Sequence, residues 1–85
     1  MIMYNNAINT LKQSSILLEI IMIGKNIKEI REKKGITQDK LARLADIPYT
    51  TLNKIEIGLV KRPRVDTIGK IARALNVKID SLVNG

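Results

Sequence analysis

Tyr49, Thr50 and Lys54 bring a phenol, a hydroxyl and an ammonium into one short stretch of this 85-residue chain. All three can donate hydrogen bonds, and Thr50 and Lys54 at i and i+4 fall on one side of a helix. Gln38, Thr51 and Asn53 add neutral polar groups nearby, and Lys61, Arg62 and Arg64 set three cations around Pro63. That set suits gripping an anion and reading a pattern of acceptors rather than breaking bonds. With no cysteine and no histidine, almost no room is left for zinc, thiol or imidazole chemistry. Glu29 and Glu32 are one helical turn apart and read as partners for Lys33 and other cations. The glycines form no phosphate-binding loop. No enzymatic activity, metal or cofactor is expected.

Five helices account for the positioning. The first covers roughly Ile23 to Lys33, with Ile23, Ile27 and Ile30 at helical spacing and Gly35 as its left-handed stop. Thr37 caps the second, whose apolar positions are Leu41, Ala42, Leu44 and Ala45. Ala45-Asp46-Ile47 makes a tight turn, and Pro48 opens the third helix at a position where a missing N–H costs nothing. There Leu52 and Ile55 face inward, Tyr49, Thr50, Asn53 and Lys54 face out, and Gly58 closes the helix. A fourth helix runs from about Val65 to Leu75 on Ile68, Ile71, Ala72 and Leu75, with Asn76 in the left-handed cap. A short last helix, Ile79 to Val83, tucks Leu82 inward. No strand is expected, so the fold class is all-α.

Two short helices across a tight turn, then a basic loop, form the layout of a helix-turn-helix, whose second helix can enter the DNA major groove. Residues near that helix's start reach base edges, here Tyr49, Thr50 and, one turn on, Lys54. Lys54 suits guanine O6 and N7; Thr50 offers a hydroxyl or a methyl. Thr51 and Asn53 suit the sugar-phosphate backbone. Gln38, in the first turn of the second helix, suits a phosphate and can brace the recognition helix. Lys61, Arg62 and Arg64 suit phosphates, with an arginine able to enter a narrow minor groove.

Charge supports duplex DNA as partner. Of 15 basic and 8 acidic residues, 14 and 7 lie from Ile23 onward, so the whole net charge of +7 falls there. A localised positive excess favours polyanions through counterion release. Tyr4 and Tyr49 are the only aromatics, too few for single strands held by base stacking.

Residues 1–22 differ in texture and read as an N-terminal extension ahead of a DNA-binding domain at 23–85. They hold all three methionines, and Ile16 to Ile23 is apolar except for Glu19. That run falls short of the about 20 apolar residues that span a bilayer, and no signal-peptide pattern is present. Tyr4, Ile8, Leu11, Ser15, Leu18 and Met22 follow a heptad-like seam. The sequence leaves two readings open: a helix that pairs between protomers or packs on the domain, or an upstream tail with Met22 as natural start.

From Ile23 to Gly85 the chain resembles the Cro and phage-repressor type of helix-turn-helix protein, the xenobiotic-response-element regulators. Lambdoid repressors and Cro are themselves the type cases of the docking geometry used above. The resemblance rests on Arg31, Gly35, Ile36-Thr37-Gln38, Leu41-Ala42, Ala45, Ile47 through Leu52, Ile55-Glu56, Gly58, Pro63, Ile71-Ala72, Leu75, Val77 and Leu82. It implies a compact five-helix, lambda-repressor-like domain that binds palindromic operators as a homodimer. It also implies that Gln38 contacts phosphate, that Tyr49, Thr50 and Lys54 read bases, and that Arg31 and Glu56 form a partly buried ion pair. The chain departs from the pattern at Ile57 and Leu59, where polar residues are usual, and at Lys78, which replaces a Ser or Thr cap.

The function implied is a sequence-specific regulator of transcription that represses by occupying an operator, in the cytoplasm on the nucleoid. The alternative is an antitoxin-type or accessory protein whose main partner is another protein, favoured by the apolar N-terminal segment and by Ile57 and Leu59. Tethering to a membrane is a third reading, against which Glu19 argues.

Overall fold

The computed structural model describes residues 22–83, and these are all-helical, with five helices and no strand among them. The heptad-like seam of the N-terminal segment lies outside them, apart from Met22. The first helix, α1, covers residues 22–33. It is followed by α2 (Gln38–Ala45), α3 (Tyr49–Glu56), α4 (Val65–Leu75) and α5 (Ile79–Val83).

Local chemistry sets most of the boundaries. Thr37 takes extended backbone angles and its side-chain oxygen accepts from the Lys40 N–H at 3.1 Å, so α2 starts there. Asp46 ends α2 and Asn76 ends α4, both left-handed, at φ 56° and 57°. Asp and Asn tolerate that region better than other side chains, because their short polar groups bond locally. Pro48 stands one position earlier than expected. It is the N-cap of α3, with ψ 142°, and its carbonyl accepts from Thr51 and Leu52. Its fixed φ suits the cap as well as the first helical residue.

Among the described residues, twelve apolar side chains from all five helices form one core, with Ile27, Leu41, Leu52, Ile71 and Leu82 wholly enclosed. α2 packs on both α3 and α4, and α5 closes on α4. Ala42 and Ala45, both buried, keep α2 thin where its neighbours cross. Leu44, expected among the apolar positions of α2, is instead exposed beside Lys70, Arg73 and Ala74. The core-facing arc of this eight-residue helix is filled by Leu41, Ala42 and Ala45.

Two features lock α1 to the rest. A Cβ on Gly24 would lie 2.0 Å from the Ile55 carbonyl oxygen, so α1 passes directly against the backbone of α3. Only glycine permits that approach. The buried Asn26 side chain donates to the Leu82 carbonyl at 2.9 Å and ties α1 to α5. Lys78 has no acceptor with which to cap α5, yet the helix forms, held by the enclosed Leu82. On the surface Glu29 has a cation as its i,i+4 partner, as expected, and of Lys25 and Lys33 it is Lys25 that it pairs with, at 4.0 Å. Both cations are four residues away, and such an exposed pair adds little stability.

Candidate nucleic-acid interface

α3 is amphipathic. Leu52 and Ile55 face the core, while Thr50 and Lys54 are exposed on the opposite side. Tyr49, 48% exposed, begins the helix on the flank that continues to the half-buried Asn53. Thr51 is half-buried on the other flank. The four-residue spacing thus brings Thr50 and Lys54 onto one ridge, with Tyr49 and Asn53 along its edge.

The ridge is braced from behind through Glu56, a carboxylate that is only 1% exposed. Arg31 on α1 grips it with two parallel bonds, Nε to Oε2 at 2.8 Å and Nη2 to Oε1 at 2.9 Å. The same guanidinium donates from Nη1 to the Ile36 carbonyl at 2.8 Å, just ahead of α2. Gln38 at the start of α2 donates from Nε2 to Glu56 Oε1 at 2.9 Å. One carboxylate therefore joins α1, α2 and α3, in the planar fork geometry that suits arginine over lysine. The hydrogen bond to Glu56 raises the Arg31 pKa above its ordinary value, burial opposes this, and the charge of Glu56 adds to the rise. A raised folded-state pKa means the cation's stabilisation is fully present at neutral pH, well below the unfolded guanidinium's own pKa.

Gln38 thus braces α3, as its place in the first turn of α2 suggested, but it does so by bonding Glu56 directly, which its sequence position did not reveal. One of its two amide hydrogens is committed to Glu56, and the second has no partner among the described residues. Its partner lies 18 residues away, so no local pattern announces the bond. Gly24 and Asn26 were also missed, although each left a signal. A glycine inside a helix costs stability unless something approaches closely. Asn26 is a polar residue on the same stripe as Ile23 and Ile30.

The basic loop grows out of the last turn of α3. Gly58 adopts φ 81°, and the Leu59 and Val60 N–H groups both return to the Lys54 carbonyl, at 2.9 and 3.0 Å. Lys61, Arg62 and Arg64 are all exposed beyond that turn. Arg64 is the N-cap of α4 and sits 3.4 Å from Asp66, an exposed pair of little weight. Among the described residues, Lys61 and Arg62 make no ion pair. Ile57 and Leu59 expose about two thirds of their surface between the ridge and this loop, at 65% and 67%.

Comparison with known proteins places this geometry in context. The helix-turn-helix family model matches residues 27–82. The chain is 33% identical over 63 residues to the HTH-type transcriptional regulator SinR of Bacillus licheniformis, covering 74% of this chain and 57% of that one. It therefore spans little more than half of that relative. It is 42% identical over 62 residues to the SPbeta prophage-derived HTH-type regulator YopO of Bacillus subtilis, covering 73% and 87%. Among solved structures it is similar to the N-terminal DNA-binding domain of SinR from Bacillus subtilis, with TM-score 0.73, 31% identity and coverage of 75% and 93%. Against SinR in complex with DNA the TM-score is 0.70, with 33% identity and coverage of 72% and 97%.

Proposed function

We propose a function on the premise that this chain belongs to the helix-turn-helix family: it regulates transcription by binding double-stranded DNA sequence-specifically. The observation that carries this is the exposed Thr50–Lys54 ridge on a helix braced from behind by Glu56. The ridge enters the major groove, where Tyr49, Thr50 and Lys54 read base edges. Gln38, Thr51, Asn53, Lys61, Arg62 and Arg64 hold the sugar-phosphate backbone and set the register. Likeness to SinR bound to DNA supports this partner.

Repression follows if the bound protein occupies its operator. A palindromic operator and a homodimer are the matching arrangement, because two-fold protein symmetry mirrors two-fold DNA symmetry. Residues 23–85 form the DNA-binding unit, and residues 1–22 are an N-terminal extension to it. The site of action is the nucleoid in the cytoplasm. Among the described residues no helix is long and apolar enough to cross a membrane.

The second reading, an antitoxin-type protein with a protein as main partner, is favoured by the exposed Ile57 and Leu59. Selection of bound duplexes from a random pool, followed by salt-titrated binding, separates the two. The regulator enriches a defined half-site and loses affinity steeply with salt. Failure to bind any duplex at about 50 mM salt contradicts it.

A further inference from the structure

The polar ridge of α3 ends in an apolar residue. Ile57 is the C-cap, still right-handed at φ −83° and ψ 0°, and its N–H bonds the Asn53 carbonyl at 3.0 Å. The helical register therefore continues through it. At 3.6 residues per turn, Thr50, Lys54 and Ile57 lie within about 60° of one another around the axis. Ile57 is 65% exposed, so its side chain stands on the surface beside Lys54 instead of returning to the core. Leu59 is equally exposed but lies beyond the left-handed Gly58, off that register.

An isoleucine on this ridge has no hydrogen bond to offer a base or a phosphate. The one apolar group that the major groove displays is the C5-methyl of thymine. We infer that Ile57 is a specificity-determining residue that packs its side chain on a thymine methyl next to the base read by Lys54. This rests on the DNA-binding reading above and deepens it. It assigns to the C-terminal turn of α3 a preference for thymine over cytosine, which differs there by lacking the methyl and presenting a donor.

The experiment replaces each thymine of the duplex enriched from a random pool, one at a time, by deoxyuridine, which removes only the methyl. The full chain, Ile57→Ala and Leu59→Ala are titrated against each probe, and thermal unfolding checks that the variants remain folded. The expected result is one position where deoxyuridine weakens the full chain about 4-fold, the contribution of one buried methyl-sized group. Ile57→Ala should lose that difference, while Leu59→Ala keeps it. Ile57→Val, which retains a branched apolar surface, should keep part of it.

Three outcomes overturn the inference. Methyl sensitivity that survives in Ile57→Ala would belong to another residue, such as Thr50. An equal loss on thymine and deoxyuridine probes would make Ile57 a general backbone contact. Unchanged binding of Ile57→Ala to every probe would return the patch to a protein partner. If the full chain binds no duplex at all, the DNA-binding reading fails first, and that result is distinct from the other three.

Discussion

Gln38 donates its side-chain N–H to Glu56 at 2.9 Å, on the same carboxylate oxygen that receives Nη2 of Arg31. The start of α2 and the end of α3 are thereby fixed to one another through a group that α1 holds. A phosphate bound by the second hydrogen of Gln38 would be positioned relative to the α3 ridge by a single intervening carboxylate. Backbone grip and base reading would then share one rigid frame.

Breaking that frame from one side should cost more than removing it. Glu56→Ala leaves the Arg31 cation buried without its partner, and a loss of about 3–5 kcal/mol is expected in urea unfolding. Arg31→Met combined with Glu56→Leu should recover much of that loss, because two apolar groups need no compensating charge. If the double variant is no more stable than the worse single one, the cost does not come from the stranded charge.

Gln38→Ala should lower both stability and DNA affinity. Loss of one hydrogen bond to a half-buried site is expected to cost about 1 kcal/mol of folding stability. Affinity should fall alike on specific and unrelated duplexes, with a reduced dependence on salt if a phosphate contact is lost. A stability change with DNA binding untouched would confine Gln38 to the fold.

Two glycines should respond to alanine with opposite signs. In Gly24→Ala the new methyl meets the backbone of α3, which cannot move aside as a side chain could. A loss of about 1–3 kcal/mol or more is expected, read as a lower Tm. In Gly69→Ala the nearest atom to the new methyl is Ile79 Cδ1 at 4.0 Å, an ordinary contact. Within α4 that change should add about 0.5–1 kcal/mol. A stable Gly24→Ala protein would mean that α1 does not cross α3 this closely.

How much of this could be read from the sequence depends on how local the cause is. Thr37, Asn76 and Gly58 mark helix ends by their own chemistry, and the start of α4 and the extent of α5 followed from apolar spacing. The all-α class rested on the same periodicity. Contacts between distant residues were not readable in that way. The bond from Gln38 to Glu56 and that from Asn26 to the Leu82 carbonyl depend on how helices cross, 18 and 56 residues apart. Leu44 was misjudged because a helix this short needs few core positions, and Leu41, Ala42 and Ala45 already supply them. Ile57 and Leu59 stood out as departures from the family pattern, but only the backbone angles separate one from the other.

Binding of Lys54→Ala and Arg62→Ala to every single-base variant of the selected duplex, at several salt concentrations, is the most direct check that α3 reads sequence while the loop grips the backbone. Lys54→Ala should lose about 1–3 kcal/mol of discrimination at one base position and leave the others unchanged. Arg62→Ala should weaken all duplexes alike and lower the salt slope by about one counterion. Identical behaviour of the two variants across the panel would contradict this division of roles.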